Sequence, residues 1–152
     1  MQEMAVQQED TQQGRYLTFQ VGNEFFGVPI RVVTEIVMLM PITTVPQVPD
    51  YVRGIINMRG KIIPVIDMRL KFRLVAQDYD DRTCIIVVDV GELSVGLIVD
   101  AVAEVVDIGE ENIVPPPAYS NSVQSRYILG IGKVGNDVKL LLDVERLLAE
   151  GE

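Results

Sequence analysis

Residues 54–69 read GIINMRGKIIPVIDMR, and the fold turns on how that stretch is parsed. Two short apolar segments, 55–56 and 62–66, are separated by Asn57, Met58, Arg59 and Gly60, a polar interruption with turn-forming residues at both ends. That is a hairpin signal: β-type runs joined by a few residues that include a glycine. Gly60 takes a positive φ at little steric cost, and the Asn57 side chain closes a local turn, so backbone chemistry accounts for both. It does not account for Arg59. A turn needs no guanidinium, whereas arginine suits bidentate recognition of carboxylates and the anchoring of interfaces. The plain alternative is a solvated turn arginine.

Working outward toward the N-terminus, 16–21 and 25–30 are short β-type runs around Gly22, Asn23 and Glu24, which is good hairpin chemistry. Pro29 opens PIRVVTEIVML, in which Ile30, Val33 and Val37 have helical spacing while the β-branched content favours extended backbone. The expectation is a single helical turn at 31–33 leading into a strand over 35–39. Pro41, Pro46 and Pro49 mark an irregular connection. Toward the C-terminus, RLKFRLVAQDYDDR ends as a polar, acidic loop. The single cysteine, Cys84, opens the apolar run 85–88, so no intramolecular disulfide forms and the thiol reads as a small hydrophobe in a strand.

The pattern then repeats. At a constant offset of 69, residues 16–37 align with 85–106 without a gap, pairing Gly22 with Gly91, Gly27 with Gly96, Val33 with Val102 and Glu35 with Glu104. After a second proline connection at Pro115, Pro116 and Pro117, an offset of 76 pairs Gly54 with Gly130, Val65 with Leu141 and Asp67 with Asp143. Glycine turns and apolar phase that agree in two segments, in the same order, point to a duplicated β unit. Each copy offers roughly five short strands, the pattern of a small antiparallel barrel. A barrel of about 65 residues buries only about 60% of its unfolded surface and is marginal alone, so the two are expected to pack together with pseudo-twofold symmetry. Residues 143–150 depart from strand pattern: Asp143 as N-cap, Leu147 and Leu148 as an apolar face and Gly151 beyond them predict a short C-terminal helix.

The totals exclude several functions. The 152 residues suit one domain, over 15–152, preceded by a Gln-rich tail at 1–14 that lacks the features of a secretory signal, so a cytoplasmic location is expected. No apolar run approaches the eighteen or so residues that span a bilayer. There is no histidine, which removes the commonest general base and transition-metal ligand. The net charge of −9 is opposite in sign to what phosphate backbones attract, so no nucleic-acid partner is expected.

Two motifs are rejected on context. Residues 130–135 satisfy GxGxxG, but a strand follows where a dinucleotide site needs a helix. Asp67, Asp100 and Asp143 resemble a catalytic or metal-binding carboxylate set. Asp67 and Asp143 are nevertheless the same position in the two copies, which favours strand-end and cap roles. Where the first copy has Asn57, Met58, Arg59 and Gly60, the second has Lys133, Val134, Gly135 and Asn136. The turn is kept and the arginine is not, so Arg59 is dispensable to the barrel; an exposed ion pair adds little stability in any case.

Taken together, GNEFFGVPIRVVTEIV, the proline connection, GIINMRGKIIPVIDMR, and VGLIVDAVAEVVDI followed by prolines and YILGIGK resemble the CheW family of bacterial chemotaxis adaptors. The likeness runs over residues 15–150 in order. It implies a mainly β fold of two five-stranded SH3-like barrels with a shared core, and it implies no catalysis, cofactor or metal. Such proteins bridge the cytoplasmic tip of methyl-accepting chemoreceptors to the regulatory domain of the histidine kinase CheA. They are recruited to membrane-bound receptor arrays without inserting in the membrane. The same domain occurs fused in CheA and CheV; the length here suits the free-standing adaptor.

By this resemblance Val33, Glu35, Gly54, Arg59 and Val105 are the receptor-side and signalling residues, and Val114 and Tyr119 a kinase contact. Whether Arg59 pairs with Glu35 or with a receptor carboxylate stays open. The alternatives are a CheW-like scaffold of another sensory pathway, such as surface motility, and a carboxylate-based ligand-binding or hydrolytic double barrel.

Overall fold

Each glycine turn read from the sequence joins two antiparallel strands in the computed structural model, which describes residues 13–116 and 124–149. The elements are β1 (Arg15–Val21), β2 (Glu24–Pro29), β3 (Val33–Met38), β4 (Val52–Met58), β5 (Lys61–Asp67), α1 (Met68–Lys71), β6 (Cys84–Val90), β7 (Leu93–Val99), β8 (Ala101–Asp107), β9 (Ile113–Val114), β10 (Ile128–Val134), β11 (Asp137–Leu142) and α2 (Val144–Ala149). Short 3-10 turns stand at Ile30–Val32, Glu110–Asn112 and Gln124–Tyr127.

The expected helical turn and strand after Pro29 are present, shifted. The turn is Ile30–Val32, and β3 starts at Val33 because pairing to β6 begins there, Val33 opposite Val88, before a bulge ahead of Glu35. Helix α1 was not expected. It forms because the Asp67 carboxylate accepts from the amides of Arg69 (2.9 Å) and Leu70 (3.3 Å), capping the first turn. Asp143 does the same at α2, accepting from the Arg146 amide at 3.1 Å, so both aspartates have the cap role read from the repeat. The tail at 1–12, Pro117, and Glu150 with Gly151 beyond α2 lie outside the described residues.

The strands form a six-stranded sheet in the order β8, β1, β2, β11, β10, β9 and a five-stranded sheet in the order β3, β6, β7, β5, β4. The two orders map onto each other under the repeat, with β9 as the addition. What the repeat did not show is that the copies exchange hairpins. The β1–β2 hairpin of the first copy joins the last strands of the second, and the β6–β7 hairpin joins the last strands of the first. The joints are the parallel contacts, β11 with β2 and β5 with β7, which pair Leu141 with Gly27 and Val65 with Gly96. A Cβ on Gly27 meets Leu141 at 3.1 Å, and one on Gly96 meets Ile85 and Val65 at 2.7 and 2.8 Å. The repeated glycine is therefore the place where one copy's hairpin lies against the other copy's strand.

The exchange creates the shared core. One cluster takes Leu17 and Phe19 from β1, Phe26 and Val28 from β2, Ile86 and Val88 from β6, Leu97 and Val99 from β7, and Leu147 from α2. A second, inside the five-stranded sheet, takes Ile56, Ile63, Val65, Ile85, Val87 and Ile98. Strand β6 alternates between the two, which is why 85–88 is an unbroken buried apolar run. Asp100, between β7 and β8, ties the sheets: it accepts from Arg69 Nη2 at 2.7 Å and from the Gly22 amide at 2.8 Å. Among the described residues no helix is long and apolar enough to cross a membrane.

Candidate interaction surface

Among the described residues four tight hairpins have a two-residue connection, and three carry glycine first: Gly22, Gly91 and Gly135, at φ 65°, 61° and 61°. The fourth, between β4 and β5, has Arg59 there at φ 54°, followed by Gly60 at φ 87°. Positive φ at both central residues is a type I′ turn. The Asn57 side chain accepts from the Gly60 amide at 2.8 Å and secures it. Arg59 thus occupies a position where the backbone favours glycine, and glycine is what the second copy has.

The guanidinium points at β3. Nη1 donates to Glu35 Oε1 at 3.0 Å, and Nη2 donates to Oε2, a fork-to-fork pair. Of the two alternatives left open by the sequence, the chain by itself takes the internal one. β3 is one edge of the five-stranded sheet and the β4–β5 hairpin the other, so this ion pair bridges the edges of a sheet that has curled round. The Arg59 side chain is 76% exposed and that of Glu35 26%. The carboxylate is seated and the guanidinium keeps an open outer edge. Hydrogen bonding to Glu35 holds the Arg59 pKa above its ordinary value, so the guanidinium keeps its charge at any physiological pH.

The same end of the sheet carries a second polar chain that sequence reasoning missed. Lys61 Nζ donates to Ser94 Oγ at 2.9 Å, and Ser94 Oγ donates to Asp89 at 2.6 Å, linking β5, β7 and β6. The signal was available: Asp89 and Ser94 are polar positions in otherwise apolar strands, placed symmetrically about the Gly91 turn.

The other expected residues fall as follows. Val33 is half-buried and packs against the shared core; the bulge between it and Glu35 sets the two on opposite faces of the sheet, Val33 across from Val88 and Glu35 across from Val87. On the face away from Glu35, Ile36 and Met38 are exposed. Gly54 is buried in β4 at φ 144°, and a Cβ there meets the Thr43 carbonyl oxygen at 2.0 Å. Thr43 and Ile55 exchange two backbone hydrogen bonds of 2.9 Å, so Gly54 is what lets the proline connection lie on β4. Val105 stands apart, exposed on β8 at the edge of the six-stranded sheet, where the repeat makes it the partner of Ile36. Val114, half-buried on β9, is at the opposite edge of that sheet. Tyr119 lies outside the described residues.

The rejected motifs resolve as structure. Gly130 and Gly132 are in β10, where a Cβ meets Ile113 and Ile108 respectively, each at 2.8 Å. Asp67 Oδ2 accepts from the Tyr79 hydroxyl at 2.7 Å, and Asp100 is held by Arg69.

Residues 15–152 match the family model for the CheW-like domain. The chain is 36% identical to the chemotaxis protein CheW of Klebsiella aerogenes, over 90% of this chain and 82% of that protein. It is 31% identical to the chemotaxis protein CheW of Treponema pallidum, over 98% of this chain and 88% of the relative. Among solved structures it is similar to the scaffolding protein TtCheW from Thermoanaerobacter tengcongensis, with a TM-score of 0.84 and 34% identity, over 91% of this chain and 95% of that one.

Proposed function

Because this chain belongs to the CheW-like domain family, we propose that it is a non-catalytic chemotaxis adaptor that couples the cytoplasmic tip of methyl-accepting chemoreceptors to the regulatory domain of the histidine kinase CheA. It works in the cytoplasm, at receptor arrays. The observation that carries this reading is the Arg59–Glu35 pair. Two residues singled out by family resemblance, 24 positions apart, meet as a bidentate pair on an open rim, and one of them stands where the backbone asks for glycine.

In this reading the receptor tip, a helical hairpin, lays apolar side chains against the exposed edges of β3 and β8, where Val33 and Val105 stand, and its polar groups meet the outer edge of Arg59. Gly54 acts indirectly by seating the proline connection. Val114, on the far edge of the six-stranded sheet, belongs to a kinase contact, and Tyr119 is assigned to the same contact by the family resemblance. The test is a reconstituted mixture of receptor fragments, CheA and this protein. Arg59→Ala is expected to fold and to lose most receptor-dependent kinase activation, because the second half forms the same hairpin with no arginine. Full activation by that variant, or a large drop in its melting temperature, overturns the reading.

A further inference from the structure

In a chain whose net charge is −9, three cations converge on one concavity at the seam between the two copies. It has a volume of about 410 Å³ and is lined by Asp50 and Tyr51 ahead of β4, by Lys71 and Arg73 at the end of α1, and by Arg126 and Tyr127 ahead of β10. Tyr51 and Tyr127 are the same position in the two copies. Their carbonyls accept from the amides of Asp67 and Asp143, at 2.7 and 2.8 Å, so the concavity straddles the internal pseudo-twofold. Lys71 is buried as its floor, with the ammonium 4.2 Å from the Tyr51 ring centroid and 5.3 Å from that of Tyr127. The ring faces hold the charge in place.

Arg73 and Arg126 are exposed at the rim, and neither guanidinium is ion-paired among the described residues. Arg73 has φ 61° just beyond α1, and the Leu74 amide donates back to the Arg69 carbonyl at 2.8 Å. This is a helix terminus that ordinarily takes glycine or asparagine. The backbone therefore does not explain the arginine.

We propose that this seam pocket binds an acidic peptide segment of a partner protein, with Arg73 and Arg126 forked onto separate side-chain carboxylates. Bidentate guanidinium–carboxylate pairs are the strongest hydrogen bonds available to an exposed rim. The Asp50 carboxylate on the same rim disfavours a compact polyanion, whereas carboxylates strung along a peptide place their charges at the arginines and away from Asp50. The pocket is separate from the Arg59 rim, so it offers a contact to both halves of the fold that the receptor-side surface does not use.

The probe is fluorescein-labelled hexaglutamate, titrated by anisotropy against the full chain at low and at physiological ionic strength. Saturable binding that weakens with salt is expected, reduced about tenfold or more in Arg73→Gly/Arg126→Gln and unchanged in Arg31→Gln, an arginine outside this pocket. Glycine suits φ 61°, so the double variant is expected to melt no lower than the parent chain. Amide chemical-shift mapping on the unmodified protein gives a second readout, centred on Tyr51, Arg73 and Arg126. Absence of saturable binding, equal affinity of the double variant, perturbations centred elsewhere, or displacement by inorganic phosphate at the concentration of the peptide each overturns the proposal.

Discussion

Arg59 and Tyr79 show how single side chains report on their surroundings. Arg59→Gly supplies the residue that φ 54° favours, while Arg59→Ala keeps the left-handed backbone and removes only the ion pair. By thermal unfolding, the glycine variant is expected to melt at or above the parent and above the alanine variant, and in the reconstituted assay both lose coupling. An alanine variant more stable than the glycine variant contradicts the turn assignment. Tyr79 has its pKa pushed up, first by burial and then by its hydrogen bond to the Asp67 carboxylate, because both favour the neutral phenol. With the folded pKa above the unfolded value of about 10, this contribution to stability is fully present below pH 10 and is lost as pH rises above it. Urea midpoints measured from pH 9 to pH 11 are expected to fall more steeply in the parent than in Tyr79→Phe; equal slopes refute the assignment. Arg59 was legible as a functional residue because a turn has no use for a guanidinium. Its partner Glu35 was not fixed, because a carboxylate 24 positions away has no sequence signature.

At the scale of elements, the glycines sort by what an added methyl group touches. Gly54→Ala drives a Cβ to 2.0 Å from the Thr43 carbonyl oxygen, a backbone atom, at φ 144°. Gly96→Ala meets two side chains at 2.7 and 2.8 Å across the parallel joint, and Gly27→Ala meets one methyl at 3.1 Å. Urea denaturation is expected to rank the losses as Gly54 above Gly96 above Gly27, with Gly96→Ala costing about 1–3 kcal/mol. A harmless Gly54→Ala would mean that the proline connection does not lie on β4. The hairpins were legible because their signals are local, a glycine between β-branched runs. Helix α1 and the two-residue β9 were not. The first depends on a cap that Asp67 offers equally well to a strand end, and the second is held only by pairing with β10.

At the scale of the molecule, the exchange of hairpins makes the two copies inseparable. Residues 13–81 contain β1 and β2 without β8 and β11, and β3 to β5 without β6 and β7. Expressed alone, this piece and the complementary residues 82–149 are each expected to show collapsed amide dispersion, and mixing them is expected to restore native spectra. A well-dispersed spectrum from either piece alone contradicts the shared core. The aromatic chain through that core, with Phe19 to Phe26 at 6.0 Å, Phe26 to Phe72 at 5.0 Å and Phe72 to Tyr127 at 6.3 Å, starts in the first copy and crosses to the second at its last link.

What the sequence by itself determined is therefore whatever depends on near neighbours: the strand runs, the glycine turns, the Asp143 cap, the duplication, and an arginine with no local reason to be there. Only the tertiary structure decided which copy's hairpin completes which sheet, that Arg59 meets Glu35, and that Lys71 lies between two tyrosines related by the repeat. The physical reason is that the two copies present nearly identical apolar faces and turn signals. Local patterning is then equally satisfied by swapped and unswapped pairings, and the choice falls to the parallel joints at Gly27 and Gly96 and to the core they enclose.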